Sequence, residues 1–183
     1  MGLRVFVALP VPEDVIRVVD DAVGALRDRH GDLRWSRPAG WHLTLAFLGQ
    51  VDEERVPEVA AAVDQAVRQV DVGAIELSVG AAGHFKRRIL WLGVDDQPGG
   101  AVAALGAAIQ RSLLEAELPC EERPVHPHLT LARARGRGRL PRDLEAQVPS
   151  VAASWTAETV EVLRSHLGRG GSRYEVLSEL ALA

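Results

Sequence analysis

The chain has one cysteine, one lysine and no long apolar run. Cys120 alone can form neither an internal disulfide nor a Cys-x-x-Cys zinc or redox motif, and it reads as an inert thiol in a loop. Lys86 is the only lysine among 21 basic residues, so the other 20 are arginine. A lysine nucleophile therefore has one candidate, set in a Lys-Arg-Arg run without a supporting motif. No stretch approaches the ~20 apolar residues of a membrane span, and the N-terminus lacks the basic-then-apolar pattern of a secretory signal. Cytoplasmic residence and the absence of a membrane partner are the expectations.

What is present is an ordinary globule. Of 183 residues, 47% are hydrophobic and 25% charged, enough apolar surface to offset chain entropy. The net charge of −4 argues against a protein that coats long nucleic acid, which would carry a basic excess. It leaves room for a local site for one phosphate or one strand end. No low-complexity linker divides the chain, so residues 1–183 are expected to form one domain whose lobes, if two, are tightly fused.

Periodicity places strands at 3–9, 42–48, 74–80, 89–94, 128–133, 156–165 and 173–181. Helices are expected from Glu13 to Gly31, from Asp52 to Val70 and over 101–117, with a short one at 142–147. The first helix carries the stripe Val15, Val18, Val19, Ala22, Val23 and Leu26. Ala134–Arg142 reads as an Arg-Gly loop. The mixture lacks a βαβ rhythm and is read as α+β, with antiparallel sheets and helices packed outside.

The informative feature is a repeat. His-Leu-Thr-Leu-Ala occupies 42–46 and again 128–132. With six histidines and four threonines, composition predicts about 0.13 His-x-Thr triplets, so two by chance has odds of about 1%. Along a strand, residues i and i+2 share a face. His42 and Thr44 thus point one way and Leu43 and Leu45 the other; the same holds for His128 and Thr130 against Leu129 and Leu131. Two such strands facing each other put two imidazoles and two hydroxyls around one space. Displacement at phosphorus needs a base behind the attacking oxygen and an acid behind the leaving one, and imidazole serves for either near neutrality. Threonine hydroxyls can donate to the non-bridging oxygens. Arg133 is a candidate phosphate contact through its planar guanidinium. No metal and no cofactor is required.

Other residues carry weaker readings. His126 shares a face with His128 and is weighed as a zinc-binding pair or, more simply, as the residue entering the strand before Pro127. Arg135, Arg137, Arg139 and Arg142 are read either as tracking an RNA backbone or as a solvated mobile loop. Phe47 is expected in the core. Trp35 and Trp41 are expected to flank the cleft strand, one of them a candidate for stacking on a base. His30 and His166 have no evident partner.

The chain resembles the two-histidine phosphoesterases, and within them the RNA 2′,3′-cyclic phosphodiesterases historically called 2′-5′ RNA ligases. The resemblance rests on residues 4–10 (Arg-Val-Phe-Val-Ala-Leu-Pro), 41–49 (Trp-His-Leu-Thr-Leu-Ala-Phe-Leu-Gly), 89–94 (Ile-Leu-Trp-Leu-Gly-Val) and 126–133 (His-Pro-His-Leu-Thr-Leu-Ala-Arg), with Ser165, Gly171 and Tyr174 near the end. It implies a bilobal fold with a pseudo-two-fold axis and a central cleft. It implies hydrolysis of RNA 2′,3′-cyclic phosphate ends to 2′-phosphomonoesters, with His42 as proton donor and His128 as acceptor. RNA with such an end is the expected partner, and a monomer the expected state. Nucleotide-independent 2′-5′ joining is a further implication. The two motifs alone do not say which histidine is the acid. A phosphodiesterase on small cyclic nucleotides and a non-catalytic RNA-end binder remain open alternatives. The segment around His84 and the Arg-Gly stretch after Arg133 depart from the family pattern.

Overall fold

The computed structural model describes residues 2–168 and 171–182. The chain begins with β1 (Gly2–Pro10), α1 (Glu13–Arg29), β2 (Arg34–Trp35), β3 (His42–Asp52) and α2 (Val56–Val70). It continues through β4 (Ile75–Phe85), β5 (Ile89–Gln97), α3 (Ala101–Glu115) and β6 (His128–Arg133), and ends with β7 (Ser154–Ala157), β8 (Thr159–Gly168) and β9 (Gly171–Ala181). The fold is α+β. One sheet runs β3-β1-β8-β9 and the other β2-β6-β5-β4-β7, and every pairing is antiparallel.

The two sheets repeat one plan. In the first, β1 leads through α1 to β3, which folds back beside β1; in the second, β5 leads through α3 to β6, which folds back beside β5. The next strand outward is β8 in one sheet and β4 in the other. The order β3-β1-β8-β9 thus answers to β6-β5-β4-β7, a pseudo-two-fold relation with the His-x-Thr strands in corresponding places. Strand β2 extends the second sheet beyond β6.

Helix starts follow local chemistry. Pro12 precedes α1, and Glu13 and Asp14 sit in its first turn, where the macrodipole favours acids. Val15, Val19, Val23 and Leu26 are buried, while Val18 is 46% exposed and lies off the stripe expected for it. In α3, Val102, Leu105, Ile109 and Leu113 are fully buried, each contributing about 2 kcal/mol by removal of apolar area from water. The region expected to hold a short helix at 142–147 is a 3-10 turn at Glu145–Gln147. The strand expected at 156–165 proves to be two elements, broken at Glu158 between β7 and β8. Of the expected Gly168–Gly171 turn, Arg169 and Gly170 lie outside the described residues. Among the described residues no helix is long and apolar enough to cross a membrane.

The first sheet is apolar on both faces. Leu3, Val5, Val7 and Leu9 join the main core, while Phe6 and Ala8 on the opposite face form a small separate cluster with Leu163 and Phe47. Phe47 is therefore not in the main core, contrary to expectation. It lies on the open face of the sheet, with the Arg4 guanidinium 4.8 Å above its ring.

Candidate active site

Both His-x-Thr strands show the alternation that their sequence implies. His42, Thr44, His128 and Thr130 are partly exposed, and Leu43, Leu45, Leu129 and Leu131 are buried. The alternation then breaks at the same point in each motif. Along β3 the register jumps from Thr44 opposite Ala8 to Ala46 opposite Val7; along β6 it jumps from Thr130 opposite Trp91 to Ala132 opposite Leu90. Each jump is a β-bulge at the second leucine, an extra residue that turns everything after it to the other face. Ala46 and Ala132 are buried in consequence, and Phe47 and Arg133 come round to the side that carries the histidines. Strict period-two counting would have put Arg133 with the leucines.

The displaced carbonyls find partners outside the ladders. Leu45 O accepts from Gln110 Nε2 at 2.9 Å, a buried bond from α3, and Leu131 O accepts from the Ser36 amide at 2.8 Å. Gln110 also accepts from the Arg123 amide at 3.0 Å, so it is satisfied at both ends. The two strands are tied directly, since Trp41 Nε1 donates to Thr130 O at 3.0 Å. Trp41 is only 5% exposed, so it braces the cleft and is closed to a stacking base. Trp35 is likewise engaged, donating to His30 O at 2.9 Å.

The two imidazoles are held alike. His42 Nδ1 lies 2.7 Å from Gly40 O, and His128 Nδ1 lies 2.5 Å from His126 O, in both cases the carbonyl two residues back. A carbonyl only accepts, so each Nδ1 carries the proton, and the neutral ring presents an unprotonated Nε2. Aromatic walls fix the ring planes. Phe6 lies 4.7 Å from the His42 ring, and Tyr174 meets it edge-on at 5.1 Å and 87°. Phe85 meets the His128 ring edge-on at 5.0 Å and 86°. Trp91 stands 4.8 Å from His126. Two glycines make these walls feasible: a Cβ on Gly83 would fall 2.3 Å from the Trp91 ring, and one on Gly40 would fall 3.0 Å from Tyr174.

Both imidazoles are held below the ordinary histidine range. Burial pushes the His42 imidazole down to about 4, opposed by its bond to Gly40 and assisted by the charge of His128. His128 is also pushed down, mainly by burial, with His126, Arg123 and Arg133 adding repulsion and the His126 carbonyl opposing. The direct link between the two motif strands is the Trp41–Thr130 bond, consistent with the charge of His128 bearing on His42. Arg133 is pressed down by burial and by Arg34, with Tyr174 opposing.

His126 packs among Phe85, Trp91 and His128, and among the described residues no third ligand joins a His126–His128 pair. His166 does have a partner, Glu175 Oε2 at 2.8 Å, and His30 faces Gln147 Oε1 at 3.4 Å. Burial pushes the Cys120 thiol up to about 11, which keeps it unreactive. The walls formed by Phe6, Phe85 and Trp91 escaped sequence reasoning, because strand periodicity says which face a residue takes and not what it meets across the sheet. Phe6, Trp91 and Tyr174 entered only through the resemblance, with no role given to them.

A His-x-Thr strand in each of two antiparallel sheets, bulged alike and joined by the Trp41–Thr130 bond, defines the class as a two-motif α+β protein with internal pseudo-symmetry. The profile of the 2′-5′ RNA ligase superfamily matches residues 12–169, and the chain belongs to that superfamily. It is 31% identical to an RNA 2′,3′-cyclic phosphodiesterase of Thermotoga maritima over 73% of this chain and 71% of the relative. It is 25% identical to the Bacillus subtilis RNA 2′,3′-cyclic phosphodiesterase over 97% of this chain and 96% of the relative. The structure is similar to that of Escherichia coli LigT complexed with 3′-AMP, with a TM-score of 0.77 at 25% identity, covering 100% of this chain and 99% of the other.

Proposed function

We propose that this protein hydrolyses RNA 2′,3′-cyclic phosphate termini to 2′-phosphomonoesters by paired imidazole acid–base catalysis. The observation that supports the reading is the matched tethering of both Nδ1 atoms to backbone carbonyls, which leaves Nε2 of each neutral ring unprotonated. His128 Nε2 takes a proton from water as the water oxygen attacks phosphorus. The P–O3′ bond breaks on the opposite side, and His42, protonated at Nε2, gives its proton to O3′. One P–O bond forms and one breaks; one proton leaves the attacking water to His128 and one passes from His42 to the departing O3′. The roles of the two rings follow the family resemblance.

The hydroxyls of Thr44 and Thr130 donate to the non-bridging oxygens, and Arg133 balances their charge. With an RNA 5′-hydroxyl in place of water, the same steps produce a 2′-5′ linkage without a nucleotide cofactor. The reading includes one bilobal domain over 1–183, acting as a cytoplasmic monomer without metal or cofactor. The test is product analysis after incubation with an RNA ending in a 2′,3′-cyclic phosphate. A 2′-phosphate product is expected. A 3′-phosphate would reverse the leaving oxygen, and tight binding without turnover would make the chain an RNA-end binder. Turnover of small cyclic nucleotides in preference to an oligonucleotide would favour the other enzymatic reading.

A further inference from the structure

The Arg-Gly segment after β6 is anchored. Ala134 donates to Arg88 O, and Leu140 donates to Arg87 O at 2.8 Å. The guanidinium of Arg88 reaches Gly138 O at 3.0 Å and Gly136 O at 2.5 Å, and that of Arg87 reaches Leu140 O at 2.8 Å. Gly136 takes a left-handed φ of 52°, and Gly138 closes the turn on Arg135 O at 2.9 Å. Two arginines of the β4–β5 turn thus act as clamps for the segment. Lys86 and Arg87 themselves hold left-handed φ values of 50° and 51°, strained for non-glycine residues.

The consequence is a concentrated positive rim. Residues 86–88 and 133–142 hold eight of the 21 basic residues and no acid; the rest of the chain has 13 basic residues against 25 acidic ones. Arg135, Arg137 and Arg139 are exposed, and none makes an ion pair among the described residues. The nearby acids Asp143 and Glu145 stand with His84 and Arg142 around a separate groove of about 240 Å³, where His84 and Glu145 are 3.6 Å apart. The rim is continuous with the active site on two sides: Phe85, next to Lys86, touches the His128 ring, and Arg133 opens the Arg-Gly segment. An otherwise acidic protein that keeps unpaired arginines on a braced edge beside a phosphate cleft has a local field for a polyanion.

We infer that this rim seats the ribose-phosphate backbone of the RNA strand leading to the reacting terminus, so that the enzyme distinguishes an RNA end from a mononucleotide. The inference rests on the proposed function. Arg133 serves the reacting phosphate, while Arg135, Arg137 and Arg139 serve the phosphates that precede it. The contacts are electrostatic and carry no base preference.

The test replaces Arg135, Arg137 and Arg139 together by glutamine, leaving Gly136, Gly138 and the clamps intact. Two substrates are compared: a single-stranded oligoribonucleotide ending in a 2′,3′-cyclic phosphate and a mononucleoside 2′,3′-cyclic phosphate. On the oligonucleotide, KM rises roughly tenfold at low salt with kcat little changed, and the slope of log KM against log salt falls by up to about 2, about 0.7 per lost phosphate contact. On the mononucleotide, kcat/KM stays within about twofold. The single variant Arg137→Gln, at the turn tip, takes about a third of the slope change and controls for folding.

An unchanged oligonucleotide KM and slope overturns the rim while the proposed function stands. Equal losses on both substrates overturn it too, since the arginines would then act on the site. If the wild type turns over neither substrate, the proposed function fails. Fluorescence anisotropy with the oligonucleotide then decides the rim alone: weaker, less salt-sensitive binding by the triple variant supports it, and unchanged binding refutes it.

Discussion

The dependence of kcat/KM on pH is where the buried imidazoles make their sharpest prediction. His42 is held down at about 4, so in the free protein at pH 7 only about one molecule in a thousand carries the proton that the acid role needs. That shortfall corresponds to about 4 kcal/mol. At pH 5 the protonated fraction is about one in ten. His128, pushed below the usual 6.5, stays substantially deprotonated over much of that range. Both limbs of the bell therefore fall on the acid side of 6.5, and kcat/KM rises as the pH falls from 7 and passes its maximum between about 4 and 6.5. In the complex, the phosphate anion between the rings favours both imidazolium forms, so the kcat profile lies at higher pH than that of kcat/KM. The assay is initial rates on a mononucleoside 2′,3′-cyclic phosphate at constant ionic strength, from about pH 4 to about pH 9. Swapping the acid and base labels leaves the profile unchanged, because it reports macroscopic values of the pair. A kcat/KM that is flat or increasing from pH 5 to pH 8 would refute imidazole pairing held down by burial. Stability gives an independent check. The unfolded chain binds the His42 proton near 6.5 and the folded chain near 4, so the stability is complete above 6.5 and declines by up to about 3 kcal/mol as pH falls through that window. Denaturant melts of His42→Ala should lack that part of the decline.

Further outcomes follow from the same geometry. His42→Ala and His128→Ala should each cut kcat on a cyclic phosphate by about 10²–10⁴-fold, read by initial rates with and without a chelator, which should make no difference. Gln110→Ala removes the donor that satisfies the bulge carbonyl of Leu45; it should cost about 2 kcal/mol in a denaturant melt and lower kcat by loosening the strand that carries His42 and Thr44. If Arg133 holds the reacting phosphate as proposed, Arg133→Gln should raise KM and lower kcat on the mononucleotide as well as on RNA, by about 1.5–3 kcal/mol in kcat/KM. Gly83→Ala forces a methyl into the Trp91 ring and should lower thermal stability in a melt, with the His128 wall displaced.

Period-two alternation and an improbable repeat determined the chemistry at the level of residue type. His42, Thr44, His128 and Thr130 had to share open faces once their leucines were buried, because a strand has only two sides. The helices were legible for a similar reason, since apolar residues at helical spacing have one face to bury. The bulges were not legible. They depend on Gln110 from α3 and the Ser36 amide meeting two displaced carbonyls, contacts 65 and 95 positions away in the chain. Those bulges turned Phe47 out of the main core and Arg133 to the side of the strand that carries His128, against the alternation that had served four residues earlier. The state of the Arg-Gly segment was likewise undecidable from composition, which suits a solvated loop and a braced rim equally. Bonds from Arg87 and Arg88 to its carbonyls brace the segment, and that clamp exists only because the β4–β5 turn folds against the end of β6. Local pattern sets which way a side chain must face; long-range contacts decide where the pattern is interrupted, and in this protein the interruptions finish the site.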